Sequence, residues 1–439
     1  MIKTSRINAC FCGCVVLLSV MVTQSPPQRS PCPPQKSPCS PQESPTVMDV
    51  QAQVSGKLIQ AERIGVYDAI KLNAIVNEEL EQFLSGSPNS FEKFKGRFSQ
   101  PKFNVWLYKL TFTSQVPELN NLAIESTGLV AIPETTDTEL PLLSYQHGAV
   151  FEKNQVPTQP GNSFETKLLL TQFASQGYVV VAADYFGLGE SDLPNASFQR
   201  DSMEQACLDL YSATLEFLEQ QAKLKVKAFF TFGWSQGGYN NMIFLRRLED
   251  AGIPVNASAT ASAPVDLEFF IVRGISNPRP FDALYTPAEL GNLLFAFEKY
   301  RNLPGLAREA IRTEYYQMAE DFYFFKLNLL EYLKKSTSST RDFLNPEFAR
   351  QLEAGQSRIT GLLEESKGYR WLSRTPLRAY TGGKDEAVPD YLARFGVEYQ
   401  TLLGKENGEA ISAGEDADHR NTYVFAVIDL KPWFDSFLK

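Results

Sequence analysis

The sequence predicts an α/β fold built on a mostly parallel, doubly wound sheet, and three observations carry this prediction. From residue 140 onward, apolar stretches of strand length alternate with helical patterns, which is typical of a parallel sheet covered on both faces. One of these strands runs directly into a glycine-flanked serine that opens the next helix. Strand signals stop over residues 264–375 and return at residue 377, which indicates a helical segment inserted into one connection of the sheet.

The composition is that of an ordinary globular protein with an acidic balance. The 439-residue chain is 43% hydrophobic and 21% charged, which allows a substantial buried core. Its formal charge of −9 argues against binding to nucleic acid, because contact with a phosphate backbone relies on clustered Lys and Arg. The sequence shows neither a metal-ligand cluster nor a phosphate-binding glycine loop. We therefore expect no nucleic-acid partner, no metal and no cofactor.

Residues 1–24 have the pattern of a signal peptide. Lys3 and Arg6 precede an apolar run over residues 9–22, which is shorter than the ~20 residues that a membrane-spanning helix needs. The pattern predicts an exported protein that is secreted, periplasmic or associated with the cell envelope. A short uncleaved anchor remains an alternative, which leaves open an association with a lipid or cell-envelope surface.

Residues 25–47 are predicted to form a linker. A Pro-rich unit of seven residues occurs three times in this stretch, and proline both fixes φ and removes a backbone donor. We therefore expect an extended spacer without a packed core. Cys32 and Cys39 occupy equivalent positions of the repeat, and both a disulfide and free thiols remain open for them.

Three elements are predicted between the linker and the alternating region. Residues 57–84 carry apolar side chains at helical spacing, which predicts an amphipathic helix. Residues 104–113 and 122–133 are rich in β-branched, aromatic and other apolar residues and are separated by a polar stretch. These two runs therefore predict a pair of antiparallel strands.

The alternating region supplies the parallel part of the sheet and the helices that cover it. Apolar runs predict five strands, over residues 140–146, 178–184, 226–233, 257–263 and 377–381. Helical patterns predict three helices between them, over residues 165–176, 197–221 and 236–251. Cys207 lies in the second of these helices, so we expect it in the core. Residues 48–263 and 376–439 together are thus predicted to form one domain.

Residues 264–375 are predicted to form a helical lid inserted before the strand that carries the catalytic acid. The segment consists of long helical patterns rich in aromatic residues such as Phe269, Phe295 and Tyr315. Ligands of open α/β sheets bind at the carboxyl ends of the strands, so an insertion at that edge would cover the site. Aromatic residues at helical spacing are more often core residues than substrate contacts, and both interpretations stay open.

The run Gly233-Trp234-Ser235-Gln236-Gly237 supplies the candidate nucleophile. It follows an apolar strand and opens a helix, which is the setting of a nucleophile elbow. The flanking glycines allow the backbone to approach closely around a sharply turned serine. The sequence therefore predicts that Ser235 is the nucleophile of a serine hydrolase.

A serine nucleophile needs a general base, and the chain offers only two histidines, His147 and His419. In folds with this elbow the three catalytic residues follow the chain order serine, acid, histidine. His419 follows the nucleophile, whereas His147 precedes it. We therefore predict that His419 is the base and that His147 is a structural residue.

The acid that orients the base is expected after the strand that follows the helical segment. Asp385 lies there, in a loop that two glycines turn. The competing carboxylates are Glu386, Asp390, Asp416 and Asp418. Glu386 is expected to point elsewhere, and Asp416 and Asp418 are expected to be solvated charges, so Asp385 is the predicted acid.

The negatively charged oxygen of an acyl-transfer intermediate needs backbone N–H donors. One donor is expected from Gln236, which directly follows the nucleophile. The second is expected from the loop His147-Gly148-Ala149, through the Ala149 amide. Ala149 and Gln236 are thus the predicted oxyanion hole.

Five segments together resemble the α/β-hydrolase superfamily, and more narrowly its secretory-lipase-like and prolyl-oligopeptidase-like esterases. These are STGLVAIP at 126–133, QHG at 146–148, ADYFGLGES at 183–191, GWSQGG at 233–238 and GKDEAVP at 383–389. The resemblance implies cleavage of a small-molecule or lipid ester through an acyl-serine intermediate, as in esterases and lipases.

Two other functions remain as alternatives, a serine peptidase of the prolyl-oligopeptidase-like type and a catalytically inactive binding protein of the same fold. Such peptidases generally carry a large β-propeller before the hydrolase domain, and the roughly 90 residues between the linker and residue 140 are too few for one. The presence of serine, acid and histidine in order argues against an inactive protein.

Overall fold

The structure is a computed structural model that describes residues 56–86 and 90–439. It contains nine strands in these ranges: β1 (Leu58–Tyr67), β2 (Val105–Val116), β3 (Leu122–Pro133), β4 (Glu139–Gln146), β5 (Val179–Ala183), β6 (Lys225–Trp234), β7 (Ala257–Ala261), β8 (Leu377–Thr381) and β9 (Gly408–Ser412). The predicted signal peptide and linker, with Cys32 and Cys39, lie outside the described residues and stay predictions.

The nine strands form one sheet in the order β1-β2-β3-β5-β4-β6-β7-β8-β9. The pairs β1–β2, β2–β3 and β3–β5 are antiparallel. The other five pairs, from β5–β4 to β8–β9, are parallel. The predicted mostly parallel sheet is confirmed, and each strand predicted from residue 104 onward is present.

Sixteen α-helices occur in the described part of the chain. They are α1 (Ala69–Ala74), α2 (Leu80–Phe83), α3 (Ser90–Phe94), α4 (Phe164–Gln172), α5 (Arg200–Phe217), α6 (Gln236–Asp250), α7 (Leu267–Ser276), α8 (Thr286–Tyr300), α9 (Leu306–Ala310), α10 (Thr313–Tyr323), α11 (Leu329–Leu333), α12 (Thr340–Phe343), α13 (Pro346–Glu353), α14 (Thr360–Glu365), α15 (Asp390–Leu402) and α16 (His419–Asp435). A π-helical turn, Ile75–Glu79, joins α1 to α2. None of the described helices combines the length and apolar character that crossing a membrane requires.

Helices cover both faces of the sheet because buried side chains alternate along its strands. In β5, Val179 and Val181 belong to one hydrophobic core, and Val180 belongs to the other. The first core also contains residues of α5 and α6, and the second contains residues of α1, α4 and α16. The doubly wound arrangement is therefore confirmed, and Cys207 on α5 is buried as predicted.

The first described segment corrects the helix predicted over residues 57–84. Residues Leu58–Tyr67 form β1, which pairs with β2, and the helix begins only at Ala69. The register of β1 against β2 shifts twice, near Gln60 and near Arg63. Each shift breaks the two-residue alternation of a strand, so the apolar residues fall at spacings that resemble a helix.

The connection between β7 and β8 holds α7 to α14 and, among the described residues, no strand beyond an isolated bridge of Ile311 with Leu344. Its end lies beside its beginning, since Gly368 N donates to Val265 O at 3.0 Å. This connection, residues 264–375, is called the helical segment below. It leaves the sheet at the carboxyl end of β7, the edge at which open α/β sheets bind ligands.

Candidate active site

Ser235 lies in the sharp turn between β6, which ends at Trp234, and α6, which begins at Gln236. Its backbone has φ 57° and ψ −127°, a combination that residues other than glycine rarely adopt. Hydrogen bonds hold the turn on both sides, from Ser235 N to Ala261 O at 2.9 Å and from Gly238 N to Ser235 O at 2.8 Å. The predicted elbow is therefore present, and its strain is sustained by the surrounding sheet and helix.

The two glycines of the elbow allow close backbone contacts that no other residue would permit. A Cβ atom placed on Gly233 would lie 2.0 Å from the carbonyl oxygen of Gly237. A Cβ atom placed on Gly237 would lie 2.0 Å from the carbonyl oxygen of Gln146, at the end of β4. The loop after β4 is thereby held against the elbow, so residues 147–149 lie beside Ser235.

His419 and Asp385 are hydrogen-bonded to each other at the carboxyl edge of the sheet. His419 Nδ1 lies 2.9 Å from Asp385 Oδ1 and 3.1 Å from Oδ2. Asp385 is fully buried, and its Oδ1 also accepts from the Ala387 and Val388 amides at 3.0 and 2.8 Å. These bonds fix the carboxylate, which in turn fixes the imidazole and leaves its Nε2 for a second partner.

Carboxylates dominate the electrostatics of His419. Burial lowers the pKa of its imidazole, but attraction and hydrogen bonding to Asp385 outweigh burial, and Glu386 and Glu289 add to them. The net effect is a pKa above the ordinary value of 6.5. The protonated imidazole that a general base forms during catalysis is thus stabilised in this site.

Two of the carboxylates that competed with Asp385 accept hydrogen bonds from the backbone at the start of α16. Glu386 Oε2 accepts from His419 N at 3.0 Å, so this side chain binds the backbone of His419 rather than its ring. Asp418 caps α16 by accepting from Asn421 N at 2.8 Å. The prediction that Asp418 is merely a solvated charge is therefore wrong, because its carboxylate satisfies an unpaired donor of the helix.

The remaining competitors form ion pairs away from the His419 ring. Asp416 is exposed and pairs with Lys384 at 2.7 Å. Asp390 pairs with Arg394 one turn along α15 at 3.1 Å. Neither carboxylate is bonded to the imidazole, whose Nδ1–H donates to Asp385 and, among the described residues, to no other carboxylate.

Glu165, on α4, holds the loop that follows β4. Its Oε2 accepts from Gly148 N at 2.9 Å and from the hydroxyl of Tyr145. Burial raises the pKa of this carboxyl group, against hydrogen bonds from Gly148 and Tyr145 that lower it. Sequence analysis missed Glu165, because it lies in an ordinary helical pattern and only the tertiary fold brings it to the loop.

His147 has the structural role that was predicted from its position before the nucleophile. It is buried, its ring stacks on Tyr185 with 4.1 Å between centroids, and its Nδ1 donates to Gly148 O at 2.8 Å. Burial lowers the pKa of His147 to about 4, so the ring is neutral at physiological pH. The ring is neutral and its Nδ1–H is already bonded to the loop, so His147 is suited to hold the loop in place rather than to transfer protons.

A cleft of about 1220 Å³ opens beside Ser235 and His419. Its lining includes Gly148 and Ala149 from the loop after β4 and four residues of the helical segment, namely Phe281, Tyr285, Glu289 and Leu329. Polar and charged residues form part of the remaining wall, and four further aromatic side chains line it as well: Phe83, Phe151, Phe164 and Trp234. The predicted nucleophile and base therefore share one cavity with the helical segment.

The structure also brings together Ala149 and Gln236, the two residues of the predicted oxyanion hole. Both residues line a small cavity next to the cleft, together with His147 and Gly148. Gln236 is the first residue of α6, and the amides of the first helical turn have no acceptor within the helix. A carbonyl oxygen of a substrate is an acceptor of the kind that such an amide lacks.

The sheet order and the elbow between β6 and α6 define the α/β-hydrolase fold, which this chain has. A protein from Legionella pneumophila whose assignment as a hydrolase is provisional superposes with a TM-score of 0.74 at 20% identity. The alignment covers 87% of this chain and 98% of that protein. A variant of LipA, a rice cell wall degrading esterase from Xanthomonas oryzae, gives a TM-score of 0.73 at 20% identity, with the same coverage of 87% and 98%.

The fold is also similar, more distantly, to that of a lipase. Candida antarctica lipase A in its closed state superposes with a TM-score of 0.61 at 15% identity, over 87% of this chain and 82% of the lipase. No protein-family model and no curated protein matches the sequence. At these identities the likeness establishes the shared fold.

Proposed function

We propose that this protein is a serine hydrolase that cleaves carboxylic esters through an acyl-serine intermediate. The observation that carries the proposal is the hydrogen bond of His419 Nδ1 to the buried Asp385 carboxylate, in a cleft that Ser235 also lines. A strained serine, a histidine and a buried carboxylate in this arrangement are the parts of a nucleophilic triad. The esterases and lipase among the solved structures of this fold are consistent with it.

In the proposed reaction, Ser235 Oγ attacks the ester carbonyl while its proton passes to Nε2 of His419. The tetrahedral intermediate collapses, the bond to the alcohol breaks, and the alcohol leaves with that proton. Water then attacks the acyl-serine with His419 again as base, which releases the acid and restores Ser235. Asp385 keeps Nδ1 protonated and stabilises the imidazolium through both steps.

The oxyanion of the intermediate is proposed to bind the backbone amides of Ala149 and Gln236. Glu165 supports this arrangement, because it accepts from Gly148 N and so fixes the loop that presents Ala149. Loss of a single oxyanion donor in other enzymes costs about 10²–10³ in kcat. Glu165 is thus a positioning residue whose effect reaches the substrate through the loop.

We further propose that the helical segment serves as a lid that shapes the substrate site. It contributes Phe281, Tyr285 and Leu329 to a cleft that Phe83, Phe151, Phe164 and Trp234 also line. Apolar walls of this kind suit the acyl or aryl part of an ester. A panel of p-nitrophenyl esters of increasing acyl length would give the length that the cleft accepts.

The proposal is tested with p-nitrophenyl esters and the Ser235→Ala variant. Wild type is expected to release nitrophenol, and Ser235→Ala to lose at least 10³-fold in kcat, because Ser235 is the residue proposed to form the acyl intermediate. Ser436→Ala, which alters an exposed serine at the C-terminus, is the matched control and should retain activity. Equal turnover by wild type and Ser235→Ala would refute the proposal.

An ester and an anilide with the same acyl group distinguish an esterase from a peptidase. The proposed esterase is expected to turn over the p-nitrophenyl ester and to leave the p-nitroanilide largely intact. A kcat/KM for the anilide equal to that for the ester would instead assign peptidase activity to Ser235.

A further inference from the structure

The helical segment is bonded to the loop of the proposed acid through a single peptide group. Glu386 O accepts from Ala283 N at 2.9 Å and from Arg279 Nη2 at 3.3 Å, and both donors belong to the helical segment. Ala387 N, at the other end of the same peptide group, donates to Asp385 Oδ1 at 3.0 Å. One peptide group therefore connects the helical segment to the carboxylate of the proposed triad.

This peptide group transmits both position and polarity. Its atoms are coplanar, so a donor that fixes the oxygen also fixes the direction of the N–H. A hydrogen bond at the oxygen polarises the group and strengthens the N–H as a donor. The carboxylate that receives this N–H lies 2.9 Å from His419 Nδ1. Loss of a donor at Glu386 O is therefore expected to loosen the carboxylate of Asp385 and, through it, the imidazole.

Arg279 is itself held in place by a carboxylate of the helical segment. Asp282 Oδ1 accepts from Arg279 Nε at 2.7 Å, and Asp282 Oδ2 accepts from Arg279 N at 2.8 Å. Arg273, whose side chain is 5% exposed, also donates to Asp282 Oδ2, at 2.6 Å. The guanidinium group is planar and its N–H groups have fixed directions, so the bond at Nε orients the Nη2 that reaches Glu386 O.

Apolar and aromatic contacts surround the same junction. Ala283 packs in one buried cluster with Ala387 and Val388, the two residues whose amides bind the carboxylate of the acid. The guanidinium carbon of Arg279 lies 4.6 Å from the ring centroid of Phe281, which lines the cleft. The residues that shape the cleft and those that reach the acid loop are therefore neighbours in one short stretch of the helical segment.

We propose that Arg279 is a positioning residue for the catalytic acid, which it reaches through the peptide group between Glu386 and Ala387. The inference rests on the proposed ester hydrolysis and adds a residue of the helical segment to its machinery. Arg279 does not line the cleft, so it acts on the reaction through Asp385 and His419 and not by contact with the substrate. The helical segment then both shapes the substrate site and holds the acid that orients the base.

The kinetic test uses Arg279→Met, which keeps an unbranched apolar side chain and removes all its N–H donors. Turnover of p-nitrophenyl butyrate is expected to show kcat and kcat/KM falling together at an unchanged KM, because the substrate contacts are retained. The loss should be about tenfold, less than the 10²-fold that a displacement of about 1 Å can cost, since Ala283 N still binds Glu386 O.

A spectroscopic test reads the bond between Asp385 and His419 directly. The chain has only two histidines, so ¹⁵N labelling of histidine in the untagged protein gives ring signals from His419 and His147 alone. The Nδ1 proton of His419 is bonded to a carboxylate, and that of His147 to the carbonyl of Gly148. In Arg279→Met the first proton signal should shift or be lost by exchange with water. The second should stay in place and thereby report an intact fold.

Arg312→Met is the matched control, because Arg312 Nε donates to Leu344 O at 3.1 Å within the helical segment and Arg312 does not line the cleft. Its kcat and both histidine signals should match those of wild type. Arg279→Lys keeps the charge beside Asp282 but lacks the planar fork that also reaches Glu386 O. Its kcat should lie between those of Arg279→Met and wild type, and it carries both tests if Arg279→Met fails to fold.

Three results would overturn the inference. One is a wild-type kcat with an unchanged His419 signal in the Arg279 variants. Another is a higher KM at an unchanged kcat, which would assign Arg279 to the wall of the cleft. The third is an equal loss in Arg279→Met and Arg312→Met with both histidine signals changed, which would indicate a general loosening of the fold. Absence of Ser235-dependent turnover in wild type would instead refute the proposed function, and the His419 signal would still test the role of Arg279.

Discussion

At the scale of single residues, the carboxylates around His419 set the conditions under which it can act as a base. Asp385 binds its ring, whereas Glu386 binds its backbone amide and acts on the ring only through charge. A base must be unprotonated to accept the proton of Ser235. The raised pKa of His419 therefore places the acid limb of the activity profile above pH 6.5, the ordinary pKa of the group.

Glu386→Gln should move this limb to lower pH. The amide oxygen of Gln can still accept from His419 N, but the negative charge that raises the pKa of His419 is gone. We expect the midpoint of the acid limb of kcat/KM to fall by up to about one pH unit. The measurement is kcat/KM for a p-nitrophenyl ester between pH 5 and pH 9.

Glu398→Gln is the control for this profile, because Glu398 pairs with Arg394 and does not line the cleft. Its acid limb should coincide with that of wild type. A limb that stays in place or moves to higher pH in Glu386→Gln would contradict the electrostatic account of His419.

Much of the site could be predicted at this scale, because the chemistry left few choices. Only two histidines exist, and chain order separates His419 from His147. The side chains that tune the site could not be predicted in the same way. Glu165 and Glu289 come from helices far apart in sequence, and their approach to Ser235 depends on how those helices pack. No local pattern in the sequence predicts how these helices pack.

At the scale of elements, the site depends on how closely β4, β6 and α6 approach one another. Gly237, the second residue of α6, lies against the end of β4, with no space for a side chain between them. The same contact brings the loop of residues 147–149 to Ser235. The geometry of the nucleophile and that of the oxyanion loop are therefore coupled through one glycine.

Gly237→Ala is expected to damage stability and activity together. The added Cβ would lie 2.0 Å from Gln146 O and 2.5 Å from His147 O, so backbone has to move. Overpacking of this kind costs about 1–3 kcal/mol in the free energy of unfolding. Displacement of the loop by about 1 Å can cost about 10²-fold in rate. Denaturant unfolding and ester turnover measure the two effects.

Gly361→Ala is the matched control, because a Cβ on Gly361 of α14 meets no atom within 4 Å. Alanine is the better helix former by roughly 0.5–1 kcal/mol, so this variant should be as stable as wild type or more so. If Gly237→Ala behaved like Gly361→Ala, the close approach of β4 to α6 would not have the role described.

The elements differ in how well the sequence predicts them, and burial explains the difference. β5 is buried throughout and reads as an uninterrupted apolar run. β1 lies at the edge of the sheet, is half-buried or exposed along its length, and carries two register shifts, so its sequence pattern resembles that of a helix. β9, at the opposite edge, was not predicted at all, since its residues Gly408–Ser412 alternate only weakly and none of them is buried.

At the scale of the whole molecule, the helical segment is tied to the sheet at the point where it returns. Glu249, near the end of α6, accepts from Ser373 Oγ, Arg374 N and both the amide and the hydroxyl of Thr375. Its second oxygen accepts from Trp371 Nε1. β8 begins directly afterwards at Leu377, so this carboxylate holds the end of the helical segment against α6 just before the chain re-enters the sheet.

Glu249→Gln should lower the free energy of unfolding by about 1–3 kcal/mol at pH 7, because the new NH₂ group faces donors that it cannot satisfy. Burial raises the pKa of Glu249, but the hydrogen bonds from Thr375, Ser373, Trp371 and Arg374 outweigh burial and lower it below 4.5. A depressed pKa stabilises the fold above the unfolded value and ceases to do so as pH falls through the folded value.

The difference between Glu249→Gln and wild type should therefore persist from pH 7 down to about pH 4.5 and shrink below it. Denaturant unfolding at several pH values measures this difference. Glu347→Gln, a surface change on α13, is the control and should remain within about 0.5 kcal/mol of wild type. A penalty that is absent at pH 7, or that grows as pH falls below 4.5, would contradict the assigned role of Glu249.

The central claim is that Ser235 is a nucleophile activated by His419 and Asp385. A fluorophosphonate reacts covalently with such a serine, and peptide mass spectrometry locates the adduct. The account predicts one adduct, on Ser235, in wild type, none in Ser235→Ala, and a much slower reaction in His419→Ala. An adduct on another residue, or a folded wild-type protein that remains unlabelled, would contradict it.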